Sequence, residues 1–174
     1  GLTAFGHDDT DNFFGRETVL TQLLDRLSAQ QVVVVSGRPG SGSSSLVSSG
    51  IIPKVSAGAL DPVARFHVLP LTWPGTRPLE ALPQQAIDAA PAEDAEEALF
   101  LVVDNLEELF SFQAPEAERL EFMQLLENFV GAGNAVNRLL LVCRTTFREG
   151  VIDGTYAVTD WFRDQVTHCS YRLP

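Results

Sequence analysis

Four consecutive valines, Val32 to Val35, run through Ser36 into the stretch GRPGSGSSS, Gly37 to Ser45. An unbroken apolar run of this kind reads as a strand covered on both faces, because a half-exposed strand alternates apolar with polar residues. A glycine-rich loop leaving such a strand lets backbone N–H groups converge on an anion. The segment that follows, with Leu46, Val47, Ile51 and Ile52, is compatible with a helix whose N-terminus faces the same point. Strand, loop and helix in this order predict a phosphate-binding loop, with a flexible serine-rich turn as the plain alternative.

The pattern G-x-x-x-x-G-K-[ST] works because loop amides cradle phosphate, the lysine adds a point charge, and the Ser/Thr hydroxyl ligates magnesium. Gly37 and Gly42 keep the spacing, with Arg38, Gly40 and Ser41 between them, and Ser44 takes the hydroxyl position ahead of Ser45. Ser43 stands where the lysine belongs. The only lysine, Lys54, lies ten residues beyond Ser44, roughly 15 Å away along a helix and at its wrong end. Arg38 in the loop and Arg144 further on are the candidate cations for reaching phosphate, although an arginine placed like Arg38 more often points to solvent. A missing charge-assisted contact of about 1.5–3 kcal/mol weakens binding by about ten- to a hundredfold and leaves the backbone cradle in place. Hydrolysis suffers more, since that lysine also stabilises charge on the transferred phosphoryl group.

Apolar runs recur at Phe66 to Leu71, Leu99 to Asp104 and Leu139 to Cys143, again as strands covered on both faces. Helical spacing appears at Arg16 to Ala29, Ser44 to Lys54, Pro78 to Ala90 and Pro115 to Val130, the last stopped by Gly131-Ala-Gly133. Asp160 to Val166 is compatible with a short helix and Thr167 to Arg172 with a fifth strand. Alternating strands and helices predict an α/β fold: a three-layer α/β/α sandwich around a mainly parallel five-stranded sheet. A chain of 174 residues fits one domain with a sizeable core.

The run LFLVVDNLEELF ends a strand in Asp104, at the carboxyl edge where ligands of open α/β sheets bind. Asp104 there would hold magnesium opposite Ser44, or else cap the next helix; Glu107 or Glu108 would orient or deprotonate a water, or else face solvent. RLLLVCRTTF ends a further strand in Arg144, either a sensor of the terminal phosphate or a surface arginine, with Thr145 or Thr146 available to cap the next helix.

A formal charge of −11 with 12 lysines and arginines argues against a general nucleic-acid surface. The acidic segment PAEDAEEA reads as a solvated loop. No apolar run reaches the ~18 residues of a membrane span. Two cysteines, Cys143 and Cys169, have no metal-ligand or disulfide-framework spacing, and no secretory signal opens the chain, so a reducing cytoplasm is the expected compartment. Cys143, inside an apolar strand, reads as a buried structural thiol.

Taken in order, GLTAF, FFGRE at Phe13 to Glu17, GRPGSGSSSLV, LTWPGTRPLEAL, VVDNLEELF and CRTTF resemble the nucleotide-binding domain of the bacterial novel STAND NTPases, an AAA-like group of P-loop NTPases. The resemblance spans nearly the whole chain. It implies ATP or ADP with Mg2+ as cofactors, Gly15 and Arg16 near the adenine, Gly42 and Ser44 on phosphate and magnesium, Asp104 on magnesium, and Arg144 as sensor. It further implies an ATP-driven switch, excised here as residues 1–174, whose covalently linked sensor region releases it to oligomerise and activate an effector in bacterial defence or signalling. Ser43 in place of the lysine points to weak or absent hydrolysis. The alternatives are a scaffold that binds no nucleotide and mediates protein–protein contacts, and an ATPase in which Arg38 or a neighbouring subunit's arginine replaces the lysine.

Overall fold

The computed structural model describes residues 7–60, 64–88, 97–131 and 136–174. Helix α1 (His7–Ala29) leads into β1 (Val32–Gly37). After the glycine-rich loop come α2 (Ser43–Leu46), a π-helical turn (Val47–Ile51) and α3 (Ile52–Ser56), one uninterrupted helical path. Pro53 accounts for the widened turn: it has no N–H for the carbonyl four residues back and its ring crowds that carbonyl, so the helix loosens one turn earlier. The chain continues through β2 (Arg65–Val68), α4 (Pro78–Ala81), α5 (Gln84–Ile87), β3 (Glu97–Val103), α6 (Glu108–Ser111) and α7 (Glu116–Phe129). It closes with β4 (Arg138–Arg144), α8 (Thr145–Ile152), α9 (Asp160–His168) and β5 (Ser170–Arg172).

The five strands form one parallel sheet in the order β2-β3-β4-β1-β5. Alternate residues feed two cores. Val33, Val35, Phe100, Val102, Leu140 and Val142 pack under α1 and the α2–α3 path, against Leu23, Leu27, Ile51 and Val55. Val32, Val34, Leu101, Val103, Leu139 and Leu141 pack under α7, α8 and α9, against Phe122, Leu126, Phe147 and Phe162. This is the expected α/β/α layering, here with every strand parallel.

Local expectations needed correction. β2 is an edge strand flanked only by β3, and its residues alternate because one face is covered and the other is not: Phe66 and Val68 pack on the α1 and α2–α3 side while Arg65 and His67 are exposed. Pro70 interrupts the ladder, which resumes as a single bridge from Thr72 to Val103. The helix expected at Pro78 to Ala90 is two four-residue pieces, separated at Pro83, whose ψ of 138° is extended. The fifth strand begins at Ser170, since α9 persists to His168. Of PAEDAEEA, Glu97 and Ala98 belong to β3; the rest lies outside the described residues, as do GLTAF and the end of the Gly131-Ala-Gly133 stop.

From β1 the chain crosses to the far edge of the sheet, and from β4 it passes over β1 to β5. The connections after β1 and β4 therefore leave on opposite faces, and a crevice opens at the carboxyl ends of these adjacent strands. Gly37 pairs with Arg144 at that edge.

Candidate nucleotide site

The crevice is built by the loop that β1 releases. Gly40 and Gly42 adopt φ of 80° and 78°, a left-handed conformation that glycine enters freely. A turn bond from the Ser41 amide to the Arg38 carbonyl (3.0 Å) tightens the loop. The first intrahelical bond runs from the Leu46 amide to the Gly42 carbonyl (2.9 Å), so the amides of Ser43, Ser44 and Ser45 precede any carbonyl of their own helix and are available to an anion.

On the β4 side of the loop lies a cleft of about 150 Å³ lined by Gly37, Arg38, Gly40, Ser43, Ser44, Asp104, Asn105, Glu107, Cys143 and Arg144. Asp104 is 2% exposed. Its amide donates to the Thr72 carbonyl (2.8 Å) and its Oδ1 accepts the Asn105 amide (2.8 Å), while α6 starts only at Glu108. Asp104 is therefore held at the strand end and caps no helix. Glu107 Oε2 accepts the Arg144 amide (3.3 Å), and Oε1 lies 3.5 Å from Arg144 Nε. Burial pushes the Glu107 carboxyl above its usual range. Hydrogen bonds from its own amide and that of Arg144, with the Arg144 charge, oppose the shift, and the Asp104 charge adds to it. Burial, reinforced by Glu107, drives the Cys143 thiol up to about 12.

Glu108 turns elsewhere: its Oε2 accepts the Gly75 amide (2.8 Å) and fixes the loop after Thr72. Neither threonine after Arg144 caps α8, whose N-cap position is Arg144 itself; Thr145 Oγ1 is buried without a partner. Lys54 lies near the end of the α2–α3 path, as its spacing demands.

On the other side of the loop is a cavity of about 410 Å³ lined by Gly15, Arg16, Val19, Gly40, Ser41, Leu46, Leu173 and Pro174. Arg16 Nη1 donates to the Gly42 carbonyl at 3.4 Å. Leu173 reaches this wall because β5 pairs with β1 and the Leu173 amide donates to the Ser36 carbonyl (2.8 Å). Thr72, Asn105 and Leu173 were not foreseen as site residues. Only Asn105 carried a signal, an asparagine beside a strand-end aspartate, suited to its φ of 53°.

Among the described residues no group of three or more His, Cys, Asp or Glu side chains is placed to hold a metal alone. Ser44 and Asp104 line one cleft, and a hydroxyl with a carboxylate as hard oxygen donors suits Mg2+, which keeps several waters and takes the rest of its shell from phosphate.

The sheet order, the loop and the strand-end aspartate define a P-loop NTPase fold. Two solved structures share it: the Aeropyrum pernix ORC2 protein, described as ADPNP-ADP complexes (TM-score 0.54, 18% identity, 91% of this chain and 46% of that one), and Drosophila ORC bound to DNA (TM-score 0.50, 13% identity, 90% and 40%). The chain thus spans less than half of either. No curated protein matches. The family model of novel STAND NTPase 1 matches residues 1–168, and the chain belongs to that family. Among the described residues, no helix is long and apolar enough to cross a membrane.

Proposed function

We propose that this is the ATP- or ADP-binding switch domain of a STAND-type signalling or defence protein, binding nucleotide weakly and hydrolysing it slowly or not at all. The observation that carries this reading is the convergence of the Gly37–Ser45 loop, Asp104 and the Glu107–Arg144 pair on one cleft at the ends of β1 and β4. The amides of Ser43 to Ser45 bind phosphate; Ser44 and Asp104 hold Mg2+, which when bound neutralises phosphate charge. Glu107 orients water and Arg144 senses the terminal phosphate. With Ser43 at the lysine position, no ammonium reaches that phosphate, and turnover falls further than affinity. Linked effector and sensor regions, assembly on activation and a cytoplasmic setting belong to this proposal by family analogy.

The test is thermal melting with and without millimolar ATP, ADP and Mg2+, beside Ser43→Lys and Asp104→Ala. A ligand at a hundred times its Kd adds about 2.7 kcal/mol. A Mg2+-dependent shift in the native domain, enlarged by Ser43→Lys and reduced by Asp104→Ala, is the expected outcome. Ser43 itself favours a second reading, a scaffold that has lost its ligand: no native shift, with one restored by Ser43→Lys, would establish it.

A further inference from the structure

We propose that Arg16 supplies, from the α1 side of the loop, the phosphate-binding charge that position 43 lacks, so that the site holds nucleoside diphosphates about as firmly as triphosphates. The proposal rests on the nucleotide-binding reading above.

The guanidinium of Arg16 lies against the loop where a side chain at Gly42 would be: a Cβ built there falls directly onto Nη2. Nη1 donates to the Gly42 carbonyl (3.4 Å), one residue before Ser43. Arg16 is exposed, and among the described residues no carboxylate pairs with it. A cation with free donors thus sits at the start of the helix whose first amides are available to an anion.

Its side of the loop determines which phosphate it meets. Gly40 lines both the 410 Å³ cavity and the 150 Å³ cleft, so a polyphosphate crossing the loop there would have one end in each. The 410 Å³ cavity offers an apolar wall of Val19, Leu46 and Leu173, suited to a flat base. The nucleoside end therefore lies beside Arg16. The far end enters the cleft, where Asp104 and Glu107 offset the charge of Arg38 and of Arg144, itself already paired with Glu107. A third phosphate adds negative charge where the protein gives little net positive charge, whereas the phosphate nearest the ribose, common to ADP and ATP, meets Arg16.

Calorimetric titration of the native domain, Arg16→Gln, Arg16→Lys and Ser43→Lys with ADP and with ATP, all with Mg2+, tests this, with circular dichroism confirming that each variant folds. The expected result is native Kd values for the two nucleotides within about threefold, a loss of about ten- to a hundredfold for both in Arg16→Gln, partial retention in Arg16→Lys, and a gain in Ser43→Lys that favours ATP. Native affinity for both nucleotides in Arg16→Gln overturns the role of Arg16 while the nucleotide-binding reading stands. A loss confined to ATP overturns it too, since the charge would then act at the far phosphate. If the native domain binds neither nucleotide and Ser43→Lys binds both, Arg16 is no substitute and the native nucleotide-binding reading falls with it.

Discussion

Glu107 holds Arg144 at two points, one carboxylate oxygen on its backbone amide at 3.3 Å and the other 3.5 Å from its side-chain Nε. The turn after β3 is thereby tied to the end of β4 across the cleft. The side chain of Arg144 is 60% exposed and that of Glu107 only 19%, so the guanidinium is the partner free to swing. Phosphate entering the cleft would have to compete with a carboxylate for Arg144.

Exposed ion pairs contribute about 0.2–1 kcal/mol, and Glu107→Gln should release Arg144 for about that much. Triphosphate affinity is expected to rise by up to about fivefold, while hydrolysis, if any is measurable in Ser43→Lys, falls when the same change is added. Titration with a non-hydrolysable ATP analogue checks the first part; unchanged affinity would mean that Arg144 does not reach the phosphate.

The same substitution has a pH signature. The folded Glu107 carboxyl is raised above its ordinary value of 4.5, chiefly by burial. Near that value the folded state holds the proton more tightly than the unfolded chain, so the contribution is fully present below about 4.5 and is lost as pH rises through the folded value. Glutamine has no proton to lose. The stability of Glu107→Gln relative to the native domain should therefore increase from pH 4.5 upward and then level off. Denaturant melts from pH 4 to 8 decide it, and a difference that stays flat across this range would exclude the shift.

Gly40 and Gly42 share a left-handed φ but not the same surroundings. A Cβ at Gly40 meets nothing within 4 Å, whereas one at Gly42 meets Arg16. Alanine at either position incurs backbone strain of about 1–2 kcal/mol, and only Gly42→Ala also displaces the guanidinium. Gly42→Ala should accordingly weaken nucleotide binding more than Gly40→Ala, and adding Arg16→Gln should weaken it little further. Additive losses in that double mutant would show that the two residues act separately.

Much of this site was legible because its parts are local in sequence. The valine run fixes β1, glycine spacing fixes the loop, and Asp104 ends an apolar run, so each needs only its neighbours to be understood. What escaped depends on distance along the chain. Arg16 meets Gly42 across 26 positions, and that contact is set by how α1 crosses the sheet. Leu173 enters the cavity wall only because β5 adds beside β1. Proline effects were local but misjudged: Pro83 divides a helix that periodicity alone extends, and Pro53 is tolerated inside one because the turn before it widens.

Phe122 on α7 is fully buried under the sheet, in one core with Leu101, Leu139 and Phe162. Phe122→Ala should lower unfolding free energy by about 3–5 kcal/mol, a large part of the ~5–15 kcal/mol available to a domain. Urea melts will show the midpoint fall; a loss below about 1 kcal/mol would mean that α7 is not a fixed part of the core.

The two thiols should report separately on the site. Cys143 is 3% exposed at the edge of the cleft, and burial together with the Glu107 charge holds its thiol at about 12, so near neutral pH almost none of it is the reactive thiolate. Burial also raises Cys169, but less of its surface is covered and the Arg26 charge works against the shift. In the native domain at pH 8 a colorimetric disulfide reagent should therefore modify one thiol per chain, and Cys169→Ser should abolish that reaction; denaturant should expose both. Labelling of Cys143 at a rate comparable with Cys169 would show that the end of β4, and with it the Arg144 contact to Glu107, opens in solution on the timescale of the reaction. Nucleotide that engages Arg144 should then change that rate, which makes Cys143 a probe of the Arg144 contact to Glu107.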